Sequence, residues 1–222
     1  MDEDIKKNIL KTGTTTLGIV CKDGIVVAAD KRGTFGGEGG VSYIAGWDLD
    51  KIEEVTPEII VTTAGTASDT RKNIKIVRAE LKLKELKSKS KPTIKQAANL
   101  FASLAYQSLR TPSMIQSIAH FVLAGYDDEG FYLYNIFPDG YLEEVKDYTS
   151  SGSGMIQVNP ILDSDYKKDL SIDECIKLVK KCINASMNRD PASGDGMDIY
   201  IVKLGEIKQI LSQKVERVFK DQ

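Results

Sequence analysis

Apolar and polar positions change period several times along this chain. TTTLGIV (14–20) and IVVAAD (25–30) are β-branched, apolar runs on either side of Lys22-Asp23-Gly24, which predicts two strands joined by a hairpin turn. GTFGGEGG (33–40) has no apolar period and reads as loop. A further hairpin is predicted through 41–64, closing on IIVTTAG (59–65). The period then becomes helical: Ile74, Val77, Leu81 and Leu86 fall near 3.6-residue spacing within a stretch rich in Lys and Glu. Lys91-Pro92 ends it, and Thr93 is placed to cap a second helix carrying Ile94, Ala97, Ala98, Phe101, Leu104 and Ala105. Strands return at about 117–125, 131–137 and 142–148, the last two joined by Pro138-Asp139-Gly140. Ser171, with Glu174 three residues on, predicts a capping box that opens a third helix with Ile172, Ile176, Val179 and Ile183 on one face. Strands at about 197–204 and 207–211 follow.

The order is therefore strands, two helices, strands, one helix, strands. Helices in blocks between antiparallel hairpins predict an α+β fold with two antiparallel sheets packed between helix layers, four layers in all. At 222 residues, with no internal repeat and no long linker, the chain reads as one domain.

Composition narrows the function classes. Thirty basic residues against 32 acidic, a formal charge of −2, argue against nucleic acid as the main partner. Cys21, Cys175 and Cys182 cannot all pair and form no C-x-x-C, which fits a reducing compartment. Cys175 and Cys182, seven apart, share a helix face as core thiols. MDEDIKKNILKTG has no apolar h-region and no apolar run approaches ~20 residues, so a cytoplasmic chain with no membrane contact is expected. Acidic residues lack ligand spacing with His or Cys, so no metal and no cofactor is expected.

The chemistry-bearing stretch is Gly13-Thr14-Thr15-Thr16. The threonines suit a strand, yet Thr14 behind a glycine is also a candidate nucleophile. The one histidine, His120, lies inside the apolar run SIAHFVLAG and reads as structural, so no Ser-His-Asp triad is in view.

GTTTLGIVCKDGIVVAADKR resembles the start of proteasome β-type subunits, members of the N-terminal nucleophile (Ntn) hydrolases. TTAG (62–65), SSGSG (150–154) and RDPASGDG (189–196) resemble that family's other landmarks in the same order, so the likeness spans 13 to about 205. The short leader looks archaeal. The resemblance implies an αββα sandwich and a threonine-type endopeptidase made as a zymogen. Residues 1–13 would be a propeptide cut in cis between Gly13 and Thr14, and 14–222 the mature domain. Thr14 matches the nucleophile, Asp30 the acidic residue with Arg32 beside it, Gly65 the oxyanion-hole glycine, and Ser153, Asp190 and Ser193 the groups supporting the threonine. Thr63, Gly33 and Ala67 match the pocket for the residue preceding the cut, and Thr34 the backbone that takes an extended peptide as an added strand. Arg71 stands near the pocket rim, where it would favour an acidic substrate residue.

The lysine depends on the direction of counting. From Arg32 forward the family spacing lands on Gly46; from Gly65 backward it lands on Lys51, followed by Ile52 as the pattern expects. The backward count is adopted, with GTFGGEGG absorbing the five-residue difference, since loops accept insertions cheaply. Lys51 would stay cationic opposite Asp30. The general base would be the α-amine of Thr14 once Gly13 is cut away, because an α-amine titrates at about 7.7–8.0 whereas a lysine titrates near 10.4. Gly13 is expected to supply backbone freedom for a tight bend at the cut. The implied partners are other β-subunits in stacked seven-membered rings, α-type subunits, unfolded polypeptide, and an ATPase regulator acting through the α-ring. Two other readings stay open: a non-catalytic β-subunit completing the ring, and another Ntn amide hydrolase or peptide ligase.

Overall fold

The computed structural model of the chain describes residues 13–36, 42–113 and 117–216. Six strands come first: β1 (Thr16–Cys21), β2 (Gly24–Asp30), β3 (Gly33–Phe35), β4 (Tyr43–Gly46), β5 (Ile52–Thr56) and β6 (Ile59–Gly65). Helices α1 (Ala67–Ser88) and α2 (Ile94–Arg110) follow, then β7 (Ala119–Asp127), β8 (Gly130–Ile136), β9 (Leu142–Val145) and β10 (Tyr148–Ser151). Helices α3 (Met155–Asp165) and α4 (Ile172–Arg189) precede β11 (Gly196–Lys203) and β12 (Glu206–Lys214). One antiparallel sheet has the order β10-β1-β2-β11-β12 and the other β5-β6-β7-β8-β9, with β3-β4 a separate two-stranded ribbon.

Strand alternation builds the layers. Successive strand side chains point to opposite faces, so Val26 and Ala28 join Leu17 and Ile19 against α3 and α4, while Ile25, Val27 and Ala29 face the other sheet through Ile60, Val122 and Leu133. Val61, Phe121 and Leu123 turn the opposite way, onto Ile74, Val77 and Phe101 of α1 and α2. The result is helix pair, sheet, sheet, helix pair: the four-layer αββα arrangement the element order implies. Cys175 and Cys182 both lie in the core beneath α4. The capping boxes at Thr93/Gln96 and Ser171/Glu174 open α2 and α4 as their sequences dictate.

Four local expectations are corrected. A fourth helix, α3, precedes the one that starts at Ser171; its N-cap is Gly154 with no side-chain cap, Pro160 lies inside, and only Val158 and Leu162 are buried, so no apolar face marks it in the sequence. The strand expected at 142–148 is two strands on different sheets: β9 pairs with β8, and β10 crosses to pair with β1, Ser151 opposite Thr16. The beginning of the glycine-rich stretch is strand β3, and β4 folds back onto it with Thr34 opposite Ile44, so the second hairpin is β5–β6 alone. The rest of the stretch, 37–40, lies outside the described residues, as do Val41 and residues 1–12. Leu86 is exposed, not part of the α1 core face.

Candidate active site

Thr15 and Thr16 point to opposite faces, as successive side chains of an extended chain do, and Thr14, ahead of β1, has a third set of partners. Thr16 Oγ1 pairs with Ser151 Oγ of the neighbouring strand β10 at 2.7 Å and accepts from Thr62 Oγ1 of the other sheet at 2.9 Å. Thr15 turns toward α4, its hydroxyl meeting Ser193 Oγ at 2.7 Å and Ser186 Oγ. Thr14, also buried, donates from Oγ1 to its own neighbour's carbonyl, Gly13 O, at 2.7 Å. This contact is with the carbonyl oxygen and sets the hydroxyl beside the Gly13–Thr14 peptide bond.

Around Thr14 the chain ends of several elements converge. Thr14 N donates to Ser153 Oγ at 3.2 Å, Ser153 Oγ donates to Asp190 Oδ2 at 2.6 Å, and Ser193 Oγ donates to the same carboxylate oxygen at 2.6 Å. Ser153 approaches this closely because Gly152 has φ +89° and no Cβ, which would fall 2.0 Å from Thr14 O. Asp30, fully buried at the end of β2, accepts from Thr15 N at 2.8 Å, Gly194 N at 2.9 Å, Arg32 N at 3.1 Å and Lys51 Nζ at 2.6 Å. Burial pulls the Lys51 ammonium below the usual lysine range, with Asp30 working against it. Arg32 grips Asp195 with two nitrogens, Nε at 2.7 Å and Nη2 at 3.1 Å, and Pro191 O with Nη1 at 2.9 Å, bracing the 190–195 turn that carries Asp190 and Ser193.

All thirteen residues singled out above for catalysis, cleavage or binding are therefore near one another. Gly13, Thr14, Arg32, Gly33, Thr34, Lys51, Thr63, Gly65 and Ala67 line one cavity of about 240 Å³, with Leu49 and Arg71 also on its wall. Arg71 is largely exposed and lies 4.0 Å from Glu53. A second cavity of about 550 Å³ shares Gly13, Thr34 and Gly65 and continues past Tyr43, Ile44 and Ile118. His120 pairs its Nε2 with Asn135 Oδ1 at 2.7 Å and stacks on Phe137, and burial holds its pKa down. Among the described residues no cluster of His, Cys, Asp and Glu is arranged to hold a metal, and no helix is long and apolar enough to cross a membrane.

Gly13 needs a different explanation from the expected one. Its φ is not in the left-handed region; a Cβ there would fall 1.7 Å from Ala192 Cβ and 3.1 Å from Ser153 Oγ. The glycine is demanded by space, not by dihedral freedom. Sequence reasoning also missed Thr15, Ser186 and Asp195. Two are hydroxyls that meet across 171 residues of chain, and nothing local marks such a pair.

A family model described as "Proteasome subunit" matches residues 10–202. The chain is 34% identical over 214 residues to the proteasome subunit beta of Archaeoglobus fulgidus, covering 96% of each chain. It is 33% identical over 206 residues to that of Ferroglobus placidus, covering 93% of this chain and 94% of the relative. It is 36% identical over 188 residues to proteasome subunit beta 2 of Thermofilum pendens, covering 85% and 87%.

Proposed function

The chain belongs to the proteasome subunit family, and on that premise we propose that it is a catalytic β-type subunit, a threonine endopeptidase whose nucleophile is Thr14. The observation that carries this reading is the Thr14 hydroxyl on the Gly13 carbonyl beside a buried, hydrogen-bonded Asp30–Lys51 pair. In the first step Thr14 Oγ adds to the Gly13 carbonyl carbon. The Gly13–Thr14 C–N bond breaks, the nitrogen takes up a proton, and Gly13 is left as an ester on Oγ. Water then cleaves the ester, releasing residues 1–13 with a carboxylate on Gly13 and leaving Thr14 with a free α-amine.

That amine is the general base for substrates. It takes the Oγ proton as Oγ attacks a peptide carbonyl and returns a proton to the departing amine, and water then cleaves the ester left on Oγ, releasing a carboxylate and restoring the hydroxyl. The Lys51 ammonium, held by Asp30, lowers the energy of the developing alkoxide, and Gly65 is the glycine placed to bind the oxyanion. Ser153, Asp190 and Ser193 orient the nitrogen of Thr14. The 240 Å³ cavity receives the side chain preceding the cut, with Thr63, Gly33, Ala67 and Leu49 as its walls. Thr34, whose Oγ1 accepts from Gly13 N at 3.0 Å, stands where an arriving chain is held. The substrate is an unfolded polypeptide, and the working form is a particle of β-subunits with α-type partners.

The test is the intact mass of this subunit after co-expression with an α-type partner and purification of the particle. Loss of 1–13 is the expected result. A complete particle whose subunit keeps Met1 through Gly13 refutes the catalytic reading and favours a β-subunit that completes the ring without cutting.

The geometry at Gly13 gives a second expected outcome. Gly13→Ala drives a methyl into Ala192, so the Thr14 hydroxyl moves off the carbonyl, and leader removal is expected to slow by about 10²-fold. Ala192→Gly in the same chain removes the closest obstacle and is expected to restore part of the rate. A time course of leader loss by mass spectrometry checks both; equal rates for Gly13→Ala with and without Ala192→Gly would exclude this contact as the reason for the glycine.

A further inference from the structure

Lys31 is a fully buried lysine to which the chemistry above gives no task. Its side chain is 2% exposed, and Nζ lies 2.8 Å from Asp198 Oδ2, itself 3% exposed. A buried ammonium is costly unless paired, and Asp198 alone meets that need. Yet two more carboxylates reach it, Asp48 Oδ1 at 3.2 Å and Asp50 Oδ1 at 3.8 Å, from side chains that are 43% and 80% exposed. Both come from residues 47–50, the connection between β4 and Lys51, and Leu49 N donates to Lys31 O at 2.9 Å. Asp48 is also paired with Lys214 of β12.

The adjacent residues Asp30 and Lys31 therefore grip one short segment by opposite charges: Asp30 takes Lys51, and Lys31 takes Asp48 and Asp50. A slip of this segment by one residue that brought Asp50 to the place of Lys51 would set carboxylate against carboxylate at Asp30 and leave Lys31 facing Trp47 and Leu49. Like charges at such distances are strongly disfavoured where solvent is excluded. The glycine-rich connection upstream has no side-chain pattern to set its register, so these charges set it.

We propose that Lys31 is a positioning residue, clamping 47–50 through Asp48 and Asp50 so that Lys51 reaches Asp30 and Thr14. The inference rests on the reading of Lys51 as part of the catalytic machinery. Its test uses Asp48→Asn/Asp50→Asn, which alters the exposed ends of the clamp and leaves the buried Lys31–Asp198 pair and the core intact. In the assembled particle, amide exchange over 47–52 is expected to quicken about tenfold, and kcat to fall about tenfold with little change in KM.

Asp48→Glu keeps the charge within reach of Lys31 and is expected to stay within about twofold of the unaltered protein in both readouts. Lys31→Met should move both readouts the same way as the double variant. Unchanged exchange in the double variant overturns the clamp. Faster exchange with a raised KM and an unchanged kcat overturns the positioning role, leaving only a loosened pocket wall at Leu49. If the unaltered chain keeps its leader, the catalytic reading has failed, and amide exchange alone still decides whether Lys31 holds the segment.

Discussion

Thr14→Ala is expected to keep residues 1–13 attached and to lower peptidase activity by at least about 10³-fold in a fully assembled particle. The loss should be chemical, not structural. Among the described residues the Thr14 hydroxyl donates to Gly13 O alone, the carbonyl beside it, so its removal strands no distant buried partner among them. Thr15 makes the contrast, because Thr15→Ala would take a shared partner from Ser186 and Ser193 in the core and so reports on packing. Thr14→Ser retains the nucleophilic oxygen and is expected to shed the leader. Intact mass and hydrolysis of a fluorogenic peptide measure both effects. Leader loss from Thr14→Ala would mean that a second protease does the cutting, and retained peptidase activity would mean that another residue is the nucleophile.

Wherever one face of an element is apolar and the other is not, the fold could be read from the sequence. Ile94, Ala97, Ala98, Phe101 and Ala105 recur at helical spacing among polar residues, and all five are buried on one face of α2. The same logic fails for α3, where Pro160 interrupts and only two side chains are buried. It also fails at 142–148, whose ends belong to different sheets, because a crossing is settled by partners and not by local pattern.

At the candidate site the short-range signals were legible: a threonine behind a glycine, a carboxylate ending a strand, a Gly-Ser-Gly turn. Lys51 is legible only by counting back from Gly65, since 33–40 has no periodicity to count through and the charge pairs that hold 47–50, such as Lys31 with Asp48, are tertiary. Ser186 was invisible for the same reason. Its partner Thr15 is distant in sequence, and a serine within an amphipathic helix carries no mark of what it will touch.

Breaking the Asp30–Lys51 pair from its two ends should have unequal effects on stability and similar effects on chemistry. Asp30→Asn leaves a buried ammonium facing an amide; among the described residues Asp30 is the one side chain that accepts from Lys51. Removing one partner of such a pair costs about 3–5 kcal/mol. Asparagine also has one acceptor oxygen where the carboxylate offers two, and those two receive Thr15 N, Arg32 N and Gly194 N.

Lys51→Met removes the charge from the other end with a side chain of similar length. Asp30 then keeps its three backbone N–H donors, and hydrogen bonds to a carboxylate are the strong kind. Lys51→Met is therefore expected to be the more stable variant. For a chain of this size each kcal/mol is worth about 2–4 °C in Tm, so thermal melts should separate the two by several degrees. Both variants are expected to slow leader removal by at least about 10²-fold, the scale on which one preorganised electrostatic group contributes. If Asp30→Asn proved as stable as Lys51→Met, the backbone donors would not be holding the carboxylate as their distances indicate. If either variant shed its leader at the normal rate, the pair would be structural only, and the alkoxide at Thr14 would need another source of stabilisation.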